Sequence, residues 1–554
     1  MKFLKSLLLC VGLFILIGSI PVFSGGGQQR AQTAAVDESR ILNPLGQLPL
    51  LRENVTISLG IIRSTLTPDL SNNYKTFELQ RDSNITLDFV YYPASGTEAL
   101  QRLEIEIMAG GDDLPDVITF GLDPITQSYY GSLGMFIPLN DYVENSSYWM
   151  KPLIEEIPFD PWQFVRSADG NIYSLFSFSG EYVTEVVSRM YINTAWLQEA
   201  NLSMPRSTME FENMLRAFQN RRPNADGRRT YPFIDIRDNV RQQRFLGPLL
   251  SPFVYMGGGA NRWFYREPNG VVSPVFTTDG WRQGLTWIRS MVDQGLIDPL
   301  SFTQNRDQIM TIGSATNEHA FGASTFYPLN FISTDDPRSE DWALMGPIAG
   351  PRGGDPVPAW SRNMPWLNYN ITKNARYPEA AFRLGDLMMG EKFSVISRFG
   401  EEGVDWVRPG PTDRTYFEQY PPYLIPILVW GVPTDKLWEH ANPRILPYRI
   451  FNGAYTYGRI RHLELWNAVA TAQSMPYVND FNSIGTIVYS MDEWERIGEI
   501  RANVENYMLE SYIRFVLRDM SLENDWDRYL ADLNAMGLQT YIQTFRTALT
   551  RMSN

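Results

Sequence analysis

The stretch Asn220 to Thr230, NRRPNADGRRT, puts Asn224, Asp226 and Gly227 at the third, fifth and sixth places of a D-x-[DN]-x-[DN]-G calcium loop. A hard cation takes about six to eight oxygens and several negative charges. Arg222 and Phe233 stand at the first and twelfth places, where the pattern needs carboxylates. The loop is therefore expected to keep its turn without the metal, with arginine satisfying its carbonyls.

Catalytic chemistry finds little support elsewhere. The three histidines, His319, His440 and His462, are scattered, and none sits in an HExxH, H-x-E or CxxC-H context. There is no G-x-S-x-G elbow and no G-x-x-x-x-G-K-[ST] phosphate loop; MGGGAN, Met256 to Asn261, lacks the lysine and reads as a turn. The neighbouring acids Asp112-Asp113 and Glu401-Glu402 point to different sides of the chain and read as solvated charge. Paired carboxylates for glycoside hydrolysis stay open, because any two of the 62 acids could be apposed in space. No catalytic residue, metal or cofactor is assigned.

Aromatic residues are the more informative excess. Fifteen Trp and 28 Tyr include many beside Pro, Asn and Arg in loops, as in PAWSRNMPWLNYN and EEGVDWVRPG. Trp287 and Trp526 sit on apolar helical faces and are expected in the core. Trp360, Trp366 and Trp406, with Arg362 beside the first, lie in polar loops. A carbohydrate site needs such groups, since the C–H face of a sugar lies on an aromatic ring while its hydroxyls meet planar polar groups.

The elements that must position these residues alternate in type. VTISLGII and ITLDFVYY are separated by a helical stretch and followed by another before PDVITF, which predicts βαβ units, a largely parallel sheet and an α/β fold. Amphipathic helices follow, with Ser207 or Thr208 and Glu210 as a capping pair and Gly295 and Gly400 as stops. No interdomain linker stands out, which suits two lobes that the chain crosses more than once.

A length of 554 residues and 44% hydrophobic composition suffice for sizeable cores. Residues 1–24 read as a secretory signal: Lys2 and Lys5, an apolar run from Leu7 to Ile17, then Val22-Phe23-Ser24 before cleavage. The single cysteine, Cys10, lies inside that run, too early to be a lipid-modified cysteine, so the mature chain would carry no thiol. Residues 25–50 are Gly/Gln/Ala-rich and read as a flexible tether. Without the signal, 46 basic side chains face 62 acidic ones, which disfavours nucleic acid as a partner, although local arginines can reverse the sign inside a cleft.

The chain from Val55 onward resembles the extracellular solute-binding proteins of ABC transporters that serve sugars and oligosaccharides, nearest the lipoprotein-like branch that includes alginate-oligosaccharide binders. The resemblance is carried by GGDDLPDVITF, MFIPLNDYVE, DGNIYSLF, YINTAWLQEANLSMPRSTMEFENMLRAFQ, MVDQGLIDP, YPEAAFRLGDLM, FGEEGVDW and DWDRYLADLNAMGLQTYIQTF, in the family's order. Relatives of the alginate type carry an acidic calcium loop where NRRPNADGRRT stands. The resemblance implies a two-lobed, class II periplasmic-binding-protein fold. It implies residues 51–178 in lobe 1, 179–364 in lobe 2, 365–405 back in lobe 1, and 406–554 in lobe 2 with C-terminal helices. Further implications are an exported monomer, a carbohydrate ligand captured by lobe closure, delivery to permease subunits and no chemistry on the sugar. By comparison with maltose-type binders, Phe120 and Asp123 would enter the cleft, Phe326 would stack from the second lobe and Glu181 would be a hinge-side acid; the family's arginine after that aspartate is Pro124 here. The competing expectations are a secreted carbohydrate-active enzyme, a peptide binder, or a binding protein that feeds a sensor kinase.

Overall fold

A computed structural model describes residues 36–553 apart from 187–188, 222–223, 238–241, 258–260, 316–317, 329–330, 333–335, 359, 428–432, 439–441, 457–461 and 480–481. The signal-like segment 1–24, the first part of the expected tether, Arg222 and His440 lie outside the described residues.

VTISLGII forms β1 (Val55–Ile62), in which Val55, Ile57, Leu59 and Ile61 are buried and Thr56 is exposed. ITLDFVYY forms β2 (Ile85–Tyr92), parallel to β1 in register from Val55 opposite Ile85. The next strands are β3 (Val117–Ile118) and β4 (Leu175–Ser179). A second set follows: β5 (Met190–Asn193), β6 (Tyr231–Phe233), the hairpin β7 (Phe264–Arg266) and β8 (Val272–Pro274), β9 (Phe321–Ser324) and β10 (Trp342–Met345). The chain then returns through β11 (Trp366–Ile371), a small pair β12 (Trp406–Val407) and β13 (Ile425–Pro426), and β14 (Arg444–Leu446).

Two sheets result. The first has the order β2-β1-β3-β11-β4-β14, with the returning β11 inserted antiparallel between β3 and β4. The second has the order β10-β5-β9-β6. This is the α/β, two-lobed arrangement expected from the sequence. One strand departs from the expected boundaries: Arg444–Leu446, in the stretch assigned to lobe 2, pairs in parallel with β4 in the first sheet.

Each sheet has its own core. Ile57, Leu59, Ile61, Val117, Phe176, Leu367 and Tyr369 pack with the helices Tyr74–Ser83, Pro378–Met389 and Glu391–Phe399. Ile192, Phe233 and Ala323 pack with the helices Thr208–Gln219 and Asp279–Asp293 and with the C-terminal helices beginning at Met491, Trp526 and Leu538. A fully buried Leu, Ile or Phe contributes about 1.5–3 kcal/mol, so these layers hold each lobe without a disulfide. Trp526 is buried and Trp287 packs against the same core, as their helical positions predict.

Local signals mostly act as read. The Ser207 hydroxyl accepts the Glu210 N–H at 3.2 Å, but the Glu210 carboxylate turns to the Arg206 N–H, leaving half a capping box. Gly295 and Gly400 follow helices with φ of 70° and 79°, the left-handed region that glycine enters freely. The amphipathic stretch that Gly400 stops forms two helices, Pro378–Met389 and Glu391–Phe399, parted at Gly390, whose N–H closes the first on Asp386 and Leu387. The outer part of the expected tether is also packed: Glu38 caps the helix at Pro378 by accepting the N–H groups of Glu379 and Ala380, and Ile41, Leu42 and Leu50 join the first core. Three apolar side chains and a cap outweigh the composition that suggested flexibility. Among the described residues, no helix is long and apolar enough to cross a membrane.

Candidate functional site

The chain passes between the sheets three times: after β4, before β11 and after β14. These crossings are tied together by short hydrogen bonds. Val186 bridges Trp360, the Glu185 carbonyl accepts the Ser361 N–H at 2.9 Å, and Asn363 donates to the Glu181 carbonyl and the Thr184 hydroxyl, each at 3.0 Å. On the other side Asn452 donates to the Gly180 carbonyl at 3.0 Å and accepts the Tyr182 N–H at 3.2 Å.

Three adjoining hollows open along these crossings. One, of about 430 Å³, is lined by Ser177, Ser179, Glu181, Thr184, Asn363, Met364, Trp366, Arg398, Arg444 and Phe451. A second, of about 460 Å³, is lined by Tyr182, Glu185, Trp360, Arg362, Tyr420, Tyr448 and Arg449, with Glu156 at its edge. The third, of about 310 Å³, shares Met364 with the first and Arg362 with the second, and adds Phe159, Arg266 and Ser483. Together they form a cleft of aromatic faces, hydroxyls, amides and charged forks, the mixture a polyhydroxylated ligand requires.

Its floor is polar and buried. The Glu185 carboxylate accepts the Tyr448 hydroxyl at 2.5 Å and the Asn363 N–H at 3.1 Å. Its second oxygen and the Trp360 indole N–H are both buried outside ideal hydrogen-bond geometry, yet the two still interact, since Trp360 helps to lower the carboxyl. Burial pushes the Glu185 carboxyl up, against the lowering effects of Tyr448, the Asn363 N–H, Arg362 and Trp360. Burial also raises the Tyr448 phenol, and Glu185 adds to it. The Tyr455 hydroxyl donates to Glu181. Arg449 bridges Glu156 at 2.7 Å and Glu391 at 2.5 Å; burial works against its charge, but these two carboxylates outweigh it and raise its pKa.

The expected site residues divide. Glu181, Trp360, Arg362 and Trp366 line the cleft. Trp366 is 47% exposed, the only tryptophan among the large exposed hydrophobics of the described residues, whereas Trp360 is 4% exposed and presents its edge. Phe120 is instead in the core against Tyr92, ring centroids 5.0 Å apart, because β3 turns it inward. Asp123 is a helix cap: its carboxylate accepts the N–H groups of Ile125 and Thr126, each at 3.0 Å. Phe326 is buried and stacked on Phe331. Trp406 is 6% exposed and donates its indole N–H to the Gly400 carbonyl at 3.2 Å, locking the loop after that glycine. Sequence reasoning missed Glu185, Tyr182, Tyr448, Arg398 and Arg444. The first two lie in GEYVTE beside Glu181, where the helical turn Tyr182–Glu185 brings Glu185 onto the same wall.

The other candidates are structural. His319 bonds to Asp341 at 2.7 Å, and of the neighbouring acids Asp112 pairs with Lys373 at 3.6 Å, Glu401 with Lys436 at 3.1 Å and Glu402 with Arg408 at 2.7 Å. In the calcium-like loop, Asn224 donates to the His319 carbonyl and accepts from Arg221, and Asp226 accepts the Arg228 N–H at 3.0 Å. The Arg228 guanidinium donates to the Ala315 carbonyl. The side-chain oxygens of Asn224 and Asp226 are thus engaged by guanidinium and an N–H group.

No family model matches the chain. It is similar to the fructooligosaccharide ABC transporter substrate-binding protein FusA of Streptococcus pneumoniae, 23% identical over 510 residues that cover 89% of each chain. Among solved structures, FusA of S. pneumoniae in complex with kestose superposes with a TM-score of 0.70 at 20% identity, covering 90% of this chain and 99% of the other. An HMO-binding, ABC-transporter-associated solute-binding protein of Bifidobacterium longum infantis gives a TM-score of 0.72 at 18% identity, with coverage of 90% and 99%. The fold is that of the two-lobed extracellular solute-binding proteins. One relative that matches along 89% of the chain is a substrate-binding protein.

Proposed function

We propose that this chain is the extracytoplasmic substrate-binding component of an ABC importer, which captures an oligosaccharide in the cleft along its crossings and delivers it to permease subunits. The observation that carries the proposal is Trp366, an exposed indole at the mouth of a cleft whose walls are hydroxyl, amide and carboxylate groups. Its similarity to a fructooligosaccharide binder and an HMO binder supports the same reading. The reading assigns Trp366, Glu181, Trp360 and Arg362 to ligand binding. The chain works as an exported monomer and leaves the sugar unaltered. Closure is a population shift toward the lobe arrangement that the sugar contacts from both sides.

A thermal-shift screen of the purified chain against neutral and acidic oligosaccharides tests this. A rise in unfolding temperature with at least one, and recovery of that sugar intact by mass spectrometry, is the expected result. Cleaved sugar would move the protein to the enzymes, and a shift only with peptides would replace the saccharide with a peptide.

A further inference from the structure

The lobes also touch at a place apart from the crossings. The helix Pro124–Ser132 belongs to the first lobe by its mounting: the Leu122 N–H donates to the Leu367 carbonyl at 3.2 Å, and Leu122 and Tyr130 are buried with Ile118 and Phe120. Asp123 caps its first turn, and the Ser128 hydroxyl donates to the Ser167 hydroxyl at 2.8 Å. Ile125, in that first turn, nevertheless packs against the core of the second lobe, and the helix meets the C-terminal helix Met491–Val516.

Sheet order fixes where this contact stands. β11 lies between β3 and β4, so Trp366 has the contact on its β3 side and the hollow lined by Ser177, Ser179 and Arg444 on its β4 and β14 side. The contact therefore closes one flank of the cleft. At the crossings themselves one side chain joins all three segments: the Glu185 carboxylate, on the first, accepts the Asn363 N–H of the second and the Tyr448 hydroxyl of the third. Segments bonded to one another bend as a single band, so the lobes part by swinging about it. That swing lifts Ile125 off the second lobe into water. Exposing an isoleucine that rests on an apolar core costs free energy whether or not a sugar lies in the cleft.

We infer that Ile125 is a clasp that holds the lobes together before a ligand arrives, and that its release is the step that admits one. The inference rests on capture by lobe closure in the reading above and adds that the closed form is already the more populated one. A sugar then deepens a balance that the chain has set in advance.

Small-angle X-ray scattering of the purified, sugar-free chain tests it. The parent is expected to scatter as a particle with its lobes in contact. Ile125→Asp sets a charge against the second core and is expected to shift the ratio of open to closed forms by about tenfold or more, read as a larger radius of gyration and maximum dimension with a cooperative melt retained. Ile105→Asp, at an exposed side chain of the same lobe, is expected to scatter as the parent does. Ile125→Ala, with a smaller shift in the same direction, serves should the first variant fail to fold. A parent whose lobes already stand apart, or a folded Ile125 variant as compact as the parent, overturns the inference. No sugar enters this experiment, so either result leaves the saccharide reading to the thermal-shift screen.

Discussion

The indole of Trp366 lies directly against Gly121: a Cβ at that glycine would meet the indole Nε1 at 2.2 Å and the ring carbons at 2.5 and 2.7 Å. The turn after β3 therefore forms the seat of the one exposed tryptophan of the cleft. Gly121→Ala keeps a permitted backbone but displaces the ring. The affinity for the bound saccharide is expected to fall by about tenfold, close to that of Trp366→Ala, while the unfolding temperature moves little. Titration calorimetry and a melting curve on both variants check the pair of results.

Asp386 anchors the crossing of the chain over the first core. Its buried carboxylate accepts the N–H groups of Tyr148, Trp149 and Met150 at 2.9, 3.0 and 2.9 Å. Asp386→Ala leaves three backbone donors without their acceptor. A loss of about 3 kcal/mol is expected in urea unfolding, with saccharide affinity retained by the folded fraction.

Arg221 holds the loop that resembles a calcium site. It pairs with Glu199 at 2.6 Å, lies 4.5 Å from the Trp196 ring centroid and donates to Asn224 at 3.2 Å. Arg221→Ala is expected to cost roughly 2 kcal/mol of stability. Added calcium or a chelator should leave the unfolding temperature of the parent chain unchanged. A calcium-dependent rise that Asp226→Ala abolishes would contradict this account of the loop.

Stability should rise on mild acidification. Burial raises the fully enclosed Asp235 from 3.8 to about 6, against hydrogen bonds from Thr325, Ile236 and Ser324. A group whose folded pKa is raised contributes stability that is complete below its unfolded value and lost as pH climbs through the folded one. The full contribution is of the order of 3 kcal/mol, and most of it is lost between about pH 4 and pH 6. Burial shifts Glu185, Asp386 and Glu38 in the same direction. Two groups act oppositely: burial lowers the His319 imidazole, which takes back part of the gain as pH falls below its ordinary 6.5, and Arg289 holds Glu523 down to about 2, so that its contribution is lost only in stronger acid. The unfolding temperature is expected to be higher near pH 5 than above pH 7. In Asp235→Asn that difference should shrink.

The sheet strands were legible because alternation in VTISLGII and the apolar run in PDVITF report directly on burial. The site was legible only in part. Trp360, Trp366 and Trp406 share a polar-loop context in sequence, yet Trp366 is exposed in the cleft and Trp406 is locked behind Gly400, a difference set by which sheet face each strand presents. Phe120 and Phe326 followed the family pattern into positions that this chain fills as core. Arg398 and Arg444 carry no local signal: they are some 46 residues apart and meet only because β14 joins the first sheet beside β4. Residues 38–50 were misread for a related reason, since their partners lie more than 300 residues away at the helix beginning with Pro378.

Calorimetric titration of the purified chain with the saccharide that most raises its unfolding temperature, repeated on Trp366→Ala, tests the central claim most directly. Capture in the cleft predicts saturable one-to-one binding, recovery of the sugar intact, and about tenfold weaker binding by the variant. Binding equally tight in Trp366→Ala, or no saturable heat from any saccharide, would contradict it.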